Sequence, residues 1–454
     1  MNENMSLDRT LTLLPVVLFG LAYMAPMTVF TTYGVAAQAS HGMLPSAYAF
    51  ALLAMLFTAY SYGRMVKAYP VAGSAYTYTQ KSINGYVGFL VGWSILMDYL
   101  FLPMLNYLTA GIFLSAAFPE IPSYIWILFM IAVITFINIR GIKVTANINT
   151  LLISYQFLVI LFFCLFAVKG VISGMGTGTL VSTLPFLNPE VSFSFVLAGA
   201  SILCLSFLGF DSVTTLSEET IHSEKTIPRA IFLIACIGGA LFIGISYIAH
   251  MAYPDFTSFK NTDSAAFEVA VFVGGKLFSS FFLAGMVTAC LGSGLSSHAS
   301  VSRLLYAMGR DSVIPKKVFG YIHPRFKTPT RNILLVSVFS LSALVIDLVT
   351  AASFINFGAL VAFTFVNLSV VFHYFIKKRQ RSVKGTFLYL LLPLVGACFT
   401  VWLWTGLDKH SMILGGVWAL FGFMYLAFLT KFFSQRPPEL HFDEVEEAKV
   451  SEVS

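Results

Sequence analysis

Apolar residues gather into twelve long runs, at 11–38, 44–66, 84–117, 121–139, 147–171, 193–217, 228–252, 276–302, 331–348, 352–376, 386–407 and 411–433, with short polar segments between them. A bilayer core of about 30 Å takes about 20 residues of helix to cross, so runs of this length predict spanning helices. Strands of a globular sheet are far shorter, at about 4–8 residues. A membrane β-barrel needs alternating polarity along each strand, and these runs have none. The pattern therefore predicts an all-α integral membrane protein with 12 transmembrane helices. The first run, about 28 residues without a small-residue cleavage site, exceeds a signal-peptide core of about 7–15 and is expected to remain as a span.

Composition agrees with the pattern. Of the 454 residues, 57% are hydrophobic and 11% charged, against about 45–50% and about 25% in ordinary soluble proteins. The net charge of +6 comes from 27 basic and 21 acidic residues, and the basic ones fall in clusters between apolar runs, which excludes a nucleic-acid-binding surface. With the N-terminus placed in the cytoplasm, 23 of the Lys and Arg residues lie on the inner side and four outside, Lys169, Lys260, Lys276 and Lys409. The positive-inside rule thus predicts that both termini are cytoplasmic. The outer segments carry seven carboxylates, Glu120, Glu190, Asp255, Asp263, Glu268, Asp347 and Asp408, a mild attraction for cations. The five cysteines, Cys164, Cys204, Cys236, Cys290 and Cys398, sit in apolar runs with no CxxC pair and read as small buried hydrophobes. The tail from Pro437 is acidic and lacks an apolar face.

Two spans are interrupted where a helix should be most regular. Pro26 lies mid-run in Gly20-Leu-Ala-Tyr-Met-Ala-Pro-Met-Thr28; its ring excludes the Ala22 carbonyl from helical bonding, and it donates no N–H. The sixth run has a matching break at Ser206-Phe-Leu-Gly-Phe-Asp211. Freed backbone groups inside a membrane need protein, water or ligand to satisfy them. Breaks at equivalent places in two halves point to an inverted-repeat transporter with its site at the midplane.

At this point the sequence resembles the amino acid–polyamine–organocation (APC) family of secondary transporters, from about Leu11 to Phe433. The carrying motifs are Ser61-Tyr-Gly-Arg-Met-Val-Lys-Ala-Tyr-Pro70 with Ala72-Gly-Ser-Ala-Tyr-Thr-Tyr78, Phe207-Leu-Gly-Phe-Asp-Ser-Val-Thr-Thr-Leu-Ser-Glu-Glu-Thr220, and Arg303-Leu-Leu-Tyr-Ala-Met-Gly-Arg-Asp311. Within the family, Val91-Gly-Trp-Ser94, Met97-Asp-Tyr-Leu-Phe-Leu-Pro-Met104 and Ile355-Asn-Phe-Gly358 look most like bacterial putrescine importers. The resemblance implies a leucine-transporter-type 5+5 inverted repeat with broken helices 1 and 6, in a multi-pass protein of the bacterial inner membrane. On that plan, residues 1–10 are a cytoplasmic N-terminus and 11–376 the transport core. Residues 377–433 hold the last two spans with the loop before them, and 434–454 form an acidic cytoplasmic tail.

The residues themselves nominate the chemistry. Asp98 is the only charge in the third run and, as an intramembrane carboxylate, is expected to bind an ammonium group or carry a coupling proton, with a structural acceptor as the alternative. Asp211 is expected to cap the following half-helix, or else to touch substrate. Tyr23, Tyr99, Phe207, Phe210 and Phe357 offer aromatic faces to a cation, while Gly209 and Gly358 would let a ligand approach the backbone. Ala25, Pro26, Thr28 and Thr31 complete the substrate-site candidates around the first break. Glu218 and Glu219 at the end of the sixth run, with Arg64 and Lys67 at the end of the second, are candidates for an inner salt-bridge gate. His298 and His373 read as core or interfacial histidines.

Two departures from the family bear on substrate and coupling. Putrescine importers tend to carry Asp in Phe-Asp-Thr-Phe-Gly, where this chain reads Phe30-Thr-Thr-Tyr-Gly34, so a second ammonium group loses a partner at Thr31. An amino acid, cationic or neutral, is therefore the alternative to putrescine or a related small amine. Proton-coupled members can carry a Lys in the fifth span; here the matching position is Gln156, so coupling to a proton has to run through another group such as Asp98 or Glu219. No cofactor or metal is expected. The partners expected are the small-molecule substrate and the lipid bilayer, and no nucleic acid. An intramembrane enzyme would need a nucleophile paired with a base or a HExxH-like motif, and neither is present.

Overall fold

The computed structural model describes residues 11–437, apart from 71–73, 141–142, 218–219, 311–312, 327 and 436. Sixteen α-helices follow one another in chain order. They are α1 (Leu13–Met24), α2 (Tyr33–Ala39), α3 (Leu44–Ala68), α4 (Ser74–Ser82), α5 (Gly85–Ala117), α6 (Ser123–Arg140), α7 (Lys143–Ile172) and α8 (Phe193–Leu203), then α9 (Ser223–Ala252), α10 (Ala265–Arg310), α11 (Lys316–Phe319), α12 (Thr330–Ser340), α13 (Leu348–Val370), α14 (Val383–Thr386), α15 (Leu392–Thr405) and α16 (Lys409–Leu429). The described residues form no strand, only an isolated parallel bridge between Leu11 and Thr220. That bridge ties the start of the first span to the end of the sixth.

Eleven stretches are long and apolar enough to cross a membrane, so the chain is an all-helical, multi-pass membrane protein. Ten expected runs match them closely. The run expected at 331–348 differs: it is a shorter apolar helix, Thr330–Leu344, because α13 starts early. The Asp347 carboxylate accepts from the Thr350 amide at 2.9 Å and from its hydroxyl at 2.7 Å, which fixes the N-terminus of α13 at Leu348. The eighth run also gains a segment, since helix continues back to Ala265 across a break at Gly275 (φ 69°, ψ −170°). A backbone turn of that kind is open to glycine at little cost.

Burial ranks the helices by depth. In α13 and its continuation, 78% of the most apolar stretch is buried, against 17% in α16, which leaves α16 at the periphery. Trp93 and Trp418 fasten α16 to α5: each indole N–H donates to the other's carbonyl at 2.9 Å, and the rings stack 5.2 Å apart. Without a hydrophobic driving force between helices in lipid, close packing at small residues and interhelical hydrogen bonds do this work. Cys204 and Cys290 are buried as expected. Cys164 and Cys236 are half-buried and Cys398 is exposed instead, so the burial expected of all five holds for two. His298 is a satisfied core histidine, with Nδ1 2.7 Å from the Tyr107 hydroxyl and Nε2 3.0 Å from the Ile333 carbonyl. His373 pairs with the Tyr69 hydroxyl at 2.9 Å.

Candidate functional site

The first break follows from Pro26. Helix α1 stops at Met24, Ala25 takes φ 52° and ψ 103°, and Pro26 opens a 3-10 turn that runs to Phe30. The Ala22 carbonyl, which Pro26 cannot serve, is not left free: the Ala25 amide reaches it at 3.2 Å. The Met24 carbonyl accepts from the Thr28 hydroxyl at 2.7 Å. A non-glycine residue at positive φ costs about 1–3 kcal/mol, a strain that persists only where surrounding structure enforces it.

The second break is longer. Helix α8 ends at Leu203, a 3-10 turn covers Cys204–Phe207, Leu208 is extended, Gly209 takes φ 105°, and a second 3-10 turn occupies Ser212–Leu216. Two carbonyls at the end of α8, those of Ser201 and Ile202, accept from the Asn356 side-chain amide at 2.9 and 3.2 Å. Tyr48 and Ser206 join their hydroxyls at 3.1 Å. Asp211 stands at the N-terminus of the second 3-10 turn but makes no capping hydrogen bond. The capping role expected for it is corrected here, because only a five-residue 3-10 turn follows, and the Asp211 Oδ2 accepts instead from the Tyr62 hydroxyl at 3.0 Å.

The two breaks meet at Tyr23 and Gly209. A Cβ placed on Gly209 would collide with the Tyr23 ring and lie 3.2 Å from the Met24 amide. Tyr23 interacts electrostatically with Tyr99, Asp98 and Asp211, and its hydroxyl faces the Ser300 side chain from α10. Asp98 and Asp211 are close enough to feel each other's charge. Both carboxylates, with Tyr99, are half-buried. Among the described residues no Lys or Arg is ion-paired with either acid.

Other expected residues lie elsewhere. Phe207 is fully buried, packed on Tyr48 and Phe242, and Phe210 is fully buried against Tyr62 and Phe363. The Phe357 ring turns away from the breaks, 5.0 Å from Trp404 and over Gly415. Gly209 and Gly358 admit protein where a ligand was expected: the Tyr23 ring in one case, and the α5 backbone at Ser94 and Asp98 in the other. Ala25 and Pro26 are buried within the first break, and the Thr31 backbone N–H closes its 3-10 turn by donating to the Thr28 carbonyl at 3.0 Å. Gln156 is buried in α7, and its side-chain oxygen has no hydrogen-bond partner among the described residues. Glu218 and Glu219 fall outside the described residues. The Arg64 guanidinium lies over the Tyr60 and Tyr389 rings at 5.0 and 5.4 Å, and Lys67 is exposed.

Sequence reasoning missed Tyr62 and Asn356 as parts of the site. Both stand inside quoted motifs, and the signal available was a polar side chain within an apolar run, which has to find a partner when buried. No group of three or more His, Cys, Asp or Glu could hold a metal ion among the described residues. Outside the spans, burial pushes Asp347 and Asp408 up, but hydrogen bonds from Thr350 and Ser411 outweigh it and leave both below the ordinary carboxylate value.

The family model described as amino acid permease matches residues 15–426. The low-affinity putrescine importer PlaP of Escherichia coli (strain K12) is 49% identical over 96% of this chain and 97% of its own length. The methylthioribose transporter of Bacillus subtilis is 25% identical over 93% of each chain. The branched-chain amino acid permease BcaP of the same species is 25% identical over 92% of each.

Proposed function

This chain belongs to the amino acid permease family, a transporter and not an enzyme, and we propose that it imports putrescine or a related small amine across the bacterial inner membrane. The observation that carries the reading is the pair of half-buried carboxylates, Asp98 and Asp211, within electrostatic reach of each other and without a basic partner among the described residues. Like charges held close together inside protein are costly unless a proton or a bound cation neutralises one of them. A short diamine brings two ammonium groups and an apolar linker, and the Tyr23 and Tyr99 rings supply faces for the cationic ends. The carboxylate that family importers carry at position 31 is here Thr31, and Asp211 takes over the second ammonium group.

Transport follows by alternating access between two inverted repeats of five spans, in a core of residues 11–376 with broken spans 1 and 6 at its centre. Residues 377–433 add two spans for a total of twelve, the short helix Thr330–Leu344 counting as the ninth. Both termini lie in the cytoplasm, an orientation supported by the 23 basic residues it places inside against four outside. A proton is the coupling ion. Asp98 holds either the proton or an ammonium group, and with neutral Gln156 in the fifth span the coupling charge is a carboxylate.

The second reading, an amino-acid permease, is favoured by Thr31, which leaves room for a substrate carrying one ammonium group. Proteoliposomes under an imposed pH gradient decide between them. Labelled putrescine accumulating against its gradient, with neutral amino acids excluded, supports the amine reading. Strong uptake of a neutral amino acid with none of putrescine overturns it.

A further inference from the structure

A groove of about 510 Å3 opens between the start of α1, the last turns of α3 and the first turns of α9. Four basic residues line it, Arg64 and Lys67 from α3 with Lys225 and Arg229 from α9. None of them forms an ion pair with a carboxylate among the described residues, and Lys67, Lys225 and Arg229 are exposed. Four like charges converging on one cavity repel each other, and an anion relieves that repulsion. A cationic substrate is repelled, so the groove has no part in binding it.

The remaining wall is apolar. Phe232 and Leu233 line the groove and are also 48% and 39% exposed, so they face the acyl region of a surrounding bilayer. Gly63 and Pro228 close the floor, since a Cβ on Gly63 would stand 3.1 Å from the Pro228 Cβ. Positive charge at the helix ends beside an apolar wall that continues into the lipid matches one ligand chemistry, a phosphate diester attached to acyl chains. Basic pockets between spanning helices on the cytoplasmic side hold such headgroups.

We propose that this groove is a binding site for an anionic phospholipid, phosphatidylglycerol or cardiolipin, from the cytoplasmic leaflet. Its phosphate bridges Lys67, Lys225 and Arg229, and its chains lie along Phe232 and Leu233. Leu13 also lines the groove, so the lipid touches the start of the helix that leads to the first break. The proposal rests on the orientation given above and not on the substrate.

Native mass spectrometry of the full chain in neutral detergent tests it, with phosphatidylglycerol, cardiolipin, phosphatidylcholine and inorganic phosphate as probes. The expected result is that an anionic lipid is retained at concentrations about tenfold lower than phosphatidylcholine. The variant Lys225→Ala/Arg229→Ala should lose that preference, and millimolar phosphate should not displace the lipid. Equal retention of phosphatidylcholine, an unchanged preference in the variant, or displacement by free phosphate would each overturn it. Should the variant not elute as a folded protein, wild type in high salt decides: screening should abolish the preference, and a preference that survives contradicts the site.

Discussion

The Tyr62 hydroxyl donates to the Asp211 Oδ2 across 3.0 Å, and this bond joins α3 to the second break. It orients one carboxylate of the proposed pair. Hydrogen bonds to charged groups contribute about 1.5–3 kcal/mol. Tyr62→Phe keeps the ring contacts with Tyr78, Phe210 and Phe363 and removes the hydroxyl. The expected outcome is a fall of about tenfold or more in putrescine kcat/KM with a nearly unchanged melting temperature. Unaltered kinetics would place Asp211 outside the binding site.

Asp98→Asn keeps the shape of the side chain and removes its charge. Cation uptake in proteoliposomes should be abolished while the protein still expresses and elutes as a folded species. Unchanged transport would reduce Asp98 to a packing role.

Gly209 carries φ 105° and receives the Tyr23 ring, so Gly209→Ala meets both backbone strain and a clash. A destabilisation of about 2 kcal/mol or more is expected, read as a lower unfolding temperature in detergent. In a Tyr23→Ala background the clash disappears and the strain remains, so the penalty of the glycine change should shrink without vanishing. A full penalty there would mean that the ring is not what fills the site of the missing Cβ.

Both breaks were legible in the sequence for a physical reason: Pro26 cannot continue a helix, and Gly209 with Asp211 interrupts an apolar run. Asp98 stood out because charge is scarce in spans. The direction of each aromatic ring was not legible. Phe207, Phe210 and Phe357 sit in the right segments, yet they pack against Phe242, Phe363 and Trp404, and tertiary packing leaves no local signature. Asp211 was misread as a cap because the sequence does not reveal that a 3-10 turn replaces the half-helix there. Tyr62 was missed because its partner lies 149 residues away.

Asp347 gives a pH dependence outside the membrane. Its carboxylate caps α13 and its pKa lies below the ordinary value, since hydrogen bonds from Thr350 outweigh burial. A depressed pKa makes the stabilisation complete above the unfolded value near 4 and removes it as pH falls through the folded value. Asp347→Ala should therefore lower stability by about 1 kcal/mol at neutral pH. The gap from wild type should narrow in thermal melts taken progressively below about pH 4. A gap that stays constant through that range would show that the carboxylate charge is not what caps the helix.

Calorimetric titration of the purified protein with putrescine and with butylamine tests the paired-carboxylate site most directly, because the two ligands differ in one ammonium group. Wild type should bind putrescine at least about tenfold more tightly, as one charge-assisted contact implies, and Asp211→Asn should bring the two affinities together while keeping butylamine binding. Equal affinities in wild type, or a putrescine preference that survives in Asp211→Asn, would contradict the account.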